Sequence, residues 1–340
     1  MSVFTDADEP LLHGGDLQAA RRLFPGAPEP FIDLSTGINP NPYPLPRFPA
    51  DLFRRLPAPD AASALAAVAA RAYGAPSATQ IVPAPGTQIL LPLVAALVRP
   101  GRAAILAPTY GELSRAAGLA GHDVQAVREF GDIGDARLVM IANPNNPDGR
   151  LHGKDALLAL TDALRRRGGV LVVDEAFMDV GPPGASLAAE LSPGNIVVLR
   201  SFGKFFGLAG IRLGFALAAA PMAARLSAAL GPWAVSGPAL AVGAKALADA
   251  AWIERTRSRL AKAAKRLDAI LTGAGLEIVG GTSLFRLART PMAEALFHHL
   301  GRAGILTRVF AEQRDWLRFG LPGSTQEWRR VRAAMERWQR

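Results

Sequence analysis

Lys204 lies in the stretch Arg200-Ser201-Phe202-Gly203-Lys204-Phe205-Phe206-Gly207, with Arg212 eight residues further on. The chain carries 33 arginines and only five lysines, so its positive charge is almost all arginine. A lysine set among three phenylalanines therefore needs a reason other than solubility. Burial lowers the pKa of an amine, and a neutral amine condenses with an aldehyde to a Schiff base, which arginine cannot do. The other reading is a snorkelling lysine whose stem packs on the rings. This segment alone leaves both open.

Further polar residues stand where apolar runs end. Gly86 and Thr87, within Pro85-Gly86-Thr87-Gln88, open a helix whose amides and dipole suit a phosphate or simply form a cap. Tyr110 follows the run 103–107, and on its own reads equally as core. Asn146 sits in Asn143-Pro144-Asn145-Asn146-Pro147-Asp148-Gly149 after Leu138–Ala142, a stretch that in isolation is a turn. Asp174 ends the run 170–173, where a carboxylate needs a partner. Ser201 and Lys204 follow 196–199. His298 and His299 would diverge on a helix, and His122 and His152 lack ligand spacing, so no metal site is expected. Gly203-Lys204 precedes Phe205 rather than Ser or Thr, which rules out a phosphate-binding P-loop.

The elements that must position these residues alternate. Alanine-rich residues 63–73 and residues 86–98 read as helices, as do 112–120 and 154–167. Apolar runs of four to six residues at 103–107, 124–127, 138–142, 170–174, 196–199 and 213–217 read as strands of a parallel sheet covered on both faces. In such a sheet, ligands bind at the C-terminal ends of the strands, where the polar residues fall. Beyond Trp233 the pattern changes to one long helical stretch, 238–271, then shorter strands at 276–279, 283–287 and 317–320 and a terminal helix 325–340. Residues 24–59 hold too many prolines for regular helix and are expected to run extended.

Half of the residues are apolar and the length is 340, so a substantial core is expected. Cysteine is absent, which excludes disulfides and thiolate chemistry. The first ten residues carry Asp6, Asp8 and Glu9 without a basic residue, unlike a secretory or transit peptide, and no apolar run is long enough for a bilayer. A cytoplasmic protein without a membrane partner is expected. The net charge of +9 is spread along the chain, and the run Arg165-Arg166-Arg167 ends a helix, where cations suit the dipole. No nucleic-acid partner is expected.

The order and spacing of these motifs resemble the fold-type I enzymes of the class I/II aminotransferase-like family, which use pyridoxal 5′-phosphate. The resemblance spans most of the chain, with Ser201-x-x-Lys204 and Arg212 as its most specific part. It implies an α/β fold: a large domain with a mostly parallel sheet covered by helices, at residues 51–237, and a smaller α+β domain at 238–340. An extended N-terminal segment, 1–50, would contribute to the small domain and cover the active site. It implies that Lys204 holds the cofactor as a Schiff base, Asp174 pairs with its ring nitrogen, and Asn146 binds its phenolate oxygen. Tyr110 would stack on the ring, with Gly86, Thr87, Ser201 and Arg212 on the phosphate. Arg318 resembles the arginine that grips a substrate carboxylate. A homodimer is implied as well.

Three segments resemble one branch of that family, the branch that decarboxylates L-threonine O-3-phosphate. They are His13-Gly14-Gly15-Asp16 with 32–40, Asp174-Glu175-Ala176-Phe177, and 231–236. On that resemblance His13, Gly14, Gly37 and Asn146 meet a small phosphorylated amino acid, with Arg308 and Arg318 on its anionic groups. Phe177 stands where most relatives have tyrosine, leaving Asn146 alone at the phenolate. Leu56 in Arg55-Leu56-Pro57 stands where many relatives have a tyrosine that reaches the partner's phosphate. Asp148 replaces the usual threonine of the Asn-Pro turn. An aminotransferase of the histidinol-phosphate type uses the same lysine, aspartate and asparagine and is the alternative. A module that binds the cofactor without turnover is a third reading, disfavoured by the complete motif set.

Overall fold

The structure, a computed structural model, describes residues 14–338. In chain order its strands begin with β1 (Ile32–Asp33), β2 (Ile81–Ala84), β3 (Arg102–Leu106), β4 (Asp123–Val127), β5 (Leu138–Ala142), β6 (Val170–Asp174), β7 (Ile196–Ser201) and β8 (Gly214–Ala218). There follow β9 (Glu277–Thr282), β10 (Phe285–Arg289), β11 (Ile305–Leu306), β12 (Arg308–Val309) and β13 (Trp316–Gly320). The chain divides into two compact units, one formed by residues 42–254 and the other by residues 1–41 with 255–340.

The unit 42–254 is built on a seven-stranded sheet in the order β2-β8-β7-β6-β5-β3-β4. Strands β3 to β7 pair in parallel, and β8 runs antiparallel to both β7 and β2. Every residue of β5, β6, β7 and β8 is buried, as the unbroken apolar runs require of strands covered on both faces. On one face, Val170, Val172, Val197, Leu199, Ala216 and Ala218 pack on Leu90, Leu91 and Val94 of the helix Thr87–Ala96. The helix Lys154–Arg165 buries Leu157, Leu160, Thr161 and Leu164, the spacing of a single helical stripe.

Strand β2 was not among the expected strands. It lies at the edge of the sheet, where Pro83 forfeits no inner ladder bond. The expected helical stretch 238–271 is two helices, Gly237–Ala248 and Ala250–Gly273. Asp249 separates them (φ −87°, ψ 72°) and accepts from the Trp252 N–H at 2.9 Å, so it closes one helix and caps the next. Within the proline-rich opening the chain is largely irregular, with a short helix at Asp51–Arg54.

The other unit carries an antiparallel sheet, β12-β13-β10-β9, and the short parallel pair β1-β11. The helices Ala293–Arg302 and Thr325–Trp338 belong to it, and the first of these was not expected from the sequence. It carries His298 and His299, and the His299 Nε2 lies 2.8 Å from the Ala334 carbonyl oxygen. No helix of the described residues is long and apolar enough to cross a membrane.

Candidate active site

The register of the large sheet brings the polar strand ends into one row. Ala142 pairs with Asp174, Asp174 with Leu199, and Ser201 with Gly214, which pairs in turn with Ala84. The loops that leave these strands therefore open on one edge. They carry Asn146, Lys204, Gly86 and Thr87, as the sequence reading expected of a parallel sheet.

Asp174 is 7% exposed at the end of an apolar strand. Burial pushes its carboxyl up to about 6; the Ala176 N–H (3.1 Å to Oδ1) and Lys204 pull the other way, and Glu175 adds to the rise. An aspartate in that condition favours a cationic or proton-bearing partner. Lys204 sits on the short helix Phe202–Phe205, and its Nζ lies 6.0 Å from the centroid of the Phe177 ring. The flanking Phe202, Phe205 and Phe206 are buried, so the lysine is the polar member of an aromatic wall.

Gly86 precedes the helix Thr87–Ala96 at φ +90°, a conformation that side chains resist. A Cβ there would lie 2.6 Å from Nη2 of Arg212, so the glycine is what lets the guanidinium approach the helix start. Arg212 is itself left-handed, at φ 53° and ψ 63°, and is one of two non-glycine residues with positive φ among those described. Strained backbone of this kind persists where surroundings impose it, often at binding sites. The first amides of the helix have no side-chain cap among the described residues. Amides, dipole and guanidinium together form a cradle for a dianion.

Tyr110 packs against the core beside the helix 87–96 and donates its hydroxyl to Gln88 Oε1 at 3.1 Å. The turn bearing Asn146 is fixed by its neighbour. Asn145 donates to the Pro108 carbonyl (2.9 Å) and to Asp148 Oδ1 (2.8 Å), and accepts from the Thr109 hydroxyl (2.7 Å). Asp148 also accepts from the Arg150 N–H, so it closes the turn in the place where threonine is usual.

A second cluster forms within the other unit. Strands β12 and β13 set Arg308 directly opposite Arg318. Like charges so placed repel, so an anion between them would be favourable. Arg318 is buried, donates to the Ser35 carbonyl at 2.7 Å, and lies 5.3 Å from the Phe285 ring centroid. Arg308 lies 5.7 Å from that of Phe310. Gly14 approaches the Ser35 backbone so closely that a Cβ would collide with it, and the Gly15 N–H bonds the Ser35 hydroxyl at 2.8 Å. Gly37 is buried two residues past Ser35. His13 lies outside the described residues.

One arrangement escaped the sequence reading. Arg200 is buried, donates to Glu175 Oε2 at 3.0 Å and to Asp179 Oδ1 at 2.6 Å, and stacks 4.4 Å above the Tyr73 ring. The signal was present: opposite charges interrupt apolar runs at the ends of two successive strands.

Residues 53–335 match the family described as Aminotransferase class I and II. The chain is 42% identical to the threonine-phosphate decarboxylase of Pseudomonas aeruginosa over 331 residues, 96% of this chain and 97% of that protein. Its fold is that of L-threonine-O-3-phosphate decarboxylase from Porphyromonas gingivalis (TM-score 0.75, 21% identity, covering 90% of this chain and 99% of that one). It is equally that of histidinol-phosphate aminotransferase from Sinorhizobium meliloti in complex with pyridoxal-5′-phosphate (TM-score 0.80, 20% identity, 99% and 98%).

Proposed function

The chain belongs to the aminotransferase class I and II family, and on that premise we propose that it decarboxylates L-threonine O-3-phosphate. The products are CO2 and (R)-1-amino-2-propanol O-phosphate, a step in cobalamin synthesis, and the cofactor is pyridoxal 5′-phosphate. The observation that carries the choice of reaction is the end-to-end likeness to the Pseudomonas decarboxylase.

The residues fit the cofactor. The helix start at Gly86, with no side-chain cap and the Arg212 guanidinium close against it, suits its phosphate, and Asp174 suits a protonated ring nitrogen. When bound, pyridoxal phosphate supplies an electron sink that stabilises negative charge at the substrate Cα. Lys204 attaches it through Nζ. Thr87, Ser201 and Arg212 hold its phosphate, with the Gly86 backbone allowing the approach. Asp174 keeps the proton on the ring nitrogen. Asn146 donates to the phenolate oxygen, a task Phe177 cannot share, and Tyr110 covers the ring face.

Arg308 and Arg318 grip the phosphate and carboxylate of the substrate, and Gly14 and Gly37 close over it. Holding both anionic ends fixes rotation at Cα, which selects the Cα–CO2− bond rather than Cα–H for cleavage. On this reading the enzyme is a cytoplasmic homodimer. The test is incubation of the cofactor-loaded protein with L-threonine O-3-phosphate, with and without 2-oxoglutarate. Release of CO2 and aminopropanol phosphate without keto acid is expected. No CO2, but amino transfer from histidinol phosphate, would overturn the reading in favour of a transaminase.

A further inference from the structure

Side chains alternate across a strand, so Asp174 continues the row of Val170 and Val172 while Glu175 points to the opposite face. The same holds on β7, where Ser201 continues Val197 and Leu199 and Arg200 turns away. Behind Asp174 and Ser201, therefore, Glu175 and Arg200 meet on the rear of the sheet. The guanidinium fork of Arg200 spans Glu175 Oε2 (3.0 Å) and Asp179 Oδ1 (2.6 Å). Glu175, wholly buried, also accepts from the Ser186 hydroxyl (2.6 Å) and the Leu187 N–H (2.8 Å). Its own N–H bonds the Leu199 carbonyl at 2.8 Å, extending the β6–β7 ladder by a residue.

Global stability is a poor explanation for this network. Buried ion groups contribute little net stability, and packed apolar residues in their place are often as stable or more so. What a forked guanidinium does supply is fixed geometry between the groups it bridges. Here those groups are the neighbour of Asp174, at the end of β6, and Asp179, two residues beyond Phe177; the bridging residue precedes Ser201.

We propose that Glu175, Arg200 and Asp179 are positioning residues for the cofactor site, clamping the ends of β6 and β7 from behind so that Asp174 and Ser201 stay in register with ring nitrogen and phosphate. The inference rests on the cofactor reading above. Burial also pushes the Glu175 carboxyl up, against the pull of Arg200, the Ser186 hydroxyl and the Leu187 N–H. Burial works against the Arg200 charge, but Asp179 and Glu175 outweigh it and hold the guanidinium protonated.

The test uses the full chain in three forms: wild type, Arg200→Lys, and the apolar triple Glu175→Leu with Arg200→Met and Asp179→Leu. For each, pyridoxal phosphate affinity, the visible circular dichroism of the bound cofactor and the urea midpoint of the apoprotein are measured. The triple variant is expected to keep the wild-type midpoint or exceed it, yet bind the cofactor about tenfold more weakly, the factor typical of residues that orient ligand-holding groups. Its visible dichroism should fall too. Arg200→Lys, which keeps the charge but loses the fork, should fall between. Wild-type affinity and dichroism in both variants would overturn the inference, and if the triple variant does not fold, Arg200→Lys decides. Failure of the wild type to bind pyridoxal phosphate would instead overturn the cofactor reading.

Discussion

Asp174→Asn should make the cofactor-free protein more stable while weakening the cofactor site. Burial raises the Asp174 carboxyl from 3.8 to about 6 in the folded apoprotein, a shift of roughly two units, or about 3 kcal/mol at 1.36 kcal/mol per unit. Because the folded value lies above the unfolded one, the folded state binds more protons between pH 4 and 6. Stability from this group is thus fully present below about pH 4 and is lost as pH rises through about 6. Asparagine does not titrate, so it escapes that loss. Its Oδ1 still serves the Ala176 N–H, but the amide adds a donor that needs a partner, at a cost of about 1 kcal/mol. The net gain above pH 7 should be about 2 kcal/mol, turning into a loss of about 1 kcal/mol below pH 4. Urea unfolding of stripped wild type and variant, followed by far-ultraviolet circular dichroism from pH 4 to 8, measures it. A difference that stays flat with pH, or a variant less stable at pH 8, would refute the reasoning.

Lys204→Ala should abolish both the visible absorbance of bound cofactor and CO2 release; turnover near wild type would remove the central assignment. Gly86→Ala forces a side chain into φ +90° and a Cβ to 2.6 Å from Arg212 Nη2. It should cost about 1–3 kcal/mol in urea stability and weaken cofactor binding, and no change in either would mean the cradle is elsewhere. Arg318→Lys loses the planar fork and the bond to the Ser35 carbonyl. KM for the phosphorylated substrate should rise about tenfold or more with cofactor affinity unchanged, and an unchanged KM would dissociate Arg318 from substrate.

The strands at Leu138–Ala142 and Val170–Asp174 were legible to the residue because sharp polar boundaries end continuous apolar runs. What the sequence hid was short or was decided by packing. Strands of two residues such as β1, β11 and β12 are too brief to show a period. Pro83 argues against a strand until its place at the sheet edge is known. Asp249 inside a helical pattern looks like any surface acid, and only its bond to the Trp252 N–H reveals a cap.

Single candidate residues stood out for the same reason as the strand ends, since a polar group closing an apolar run has few structural uses. The buried ion pair did not: Glu175 and Arg200 are 25 positions apart and become neighbours only through the β6–β7 register. Arg308 and Arg318 were named together through the family resemblance, and their direct opposition shows only in the register of β12 and β13. Three features break a local rule: a desolvated carboxylate at Asp174, two cations facing each other across a ladder, and a helix entered through φ +90° at Gly86. Chains tolerate such conflicts where function requires them. Each is a place where an opposite charge is favourable: a cation near Asp174, an anion near the arginines and an anion at the helix start. The conflicts at Asp174 and Gly86 lie on the unit 42–254 and the arginine pair on the other, so Asp174→Asn and Gly86→Ala probe the cofactor reading while Arg318→Lys probes the substrate reading separately.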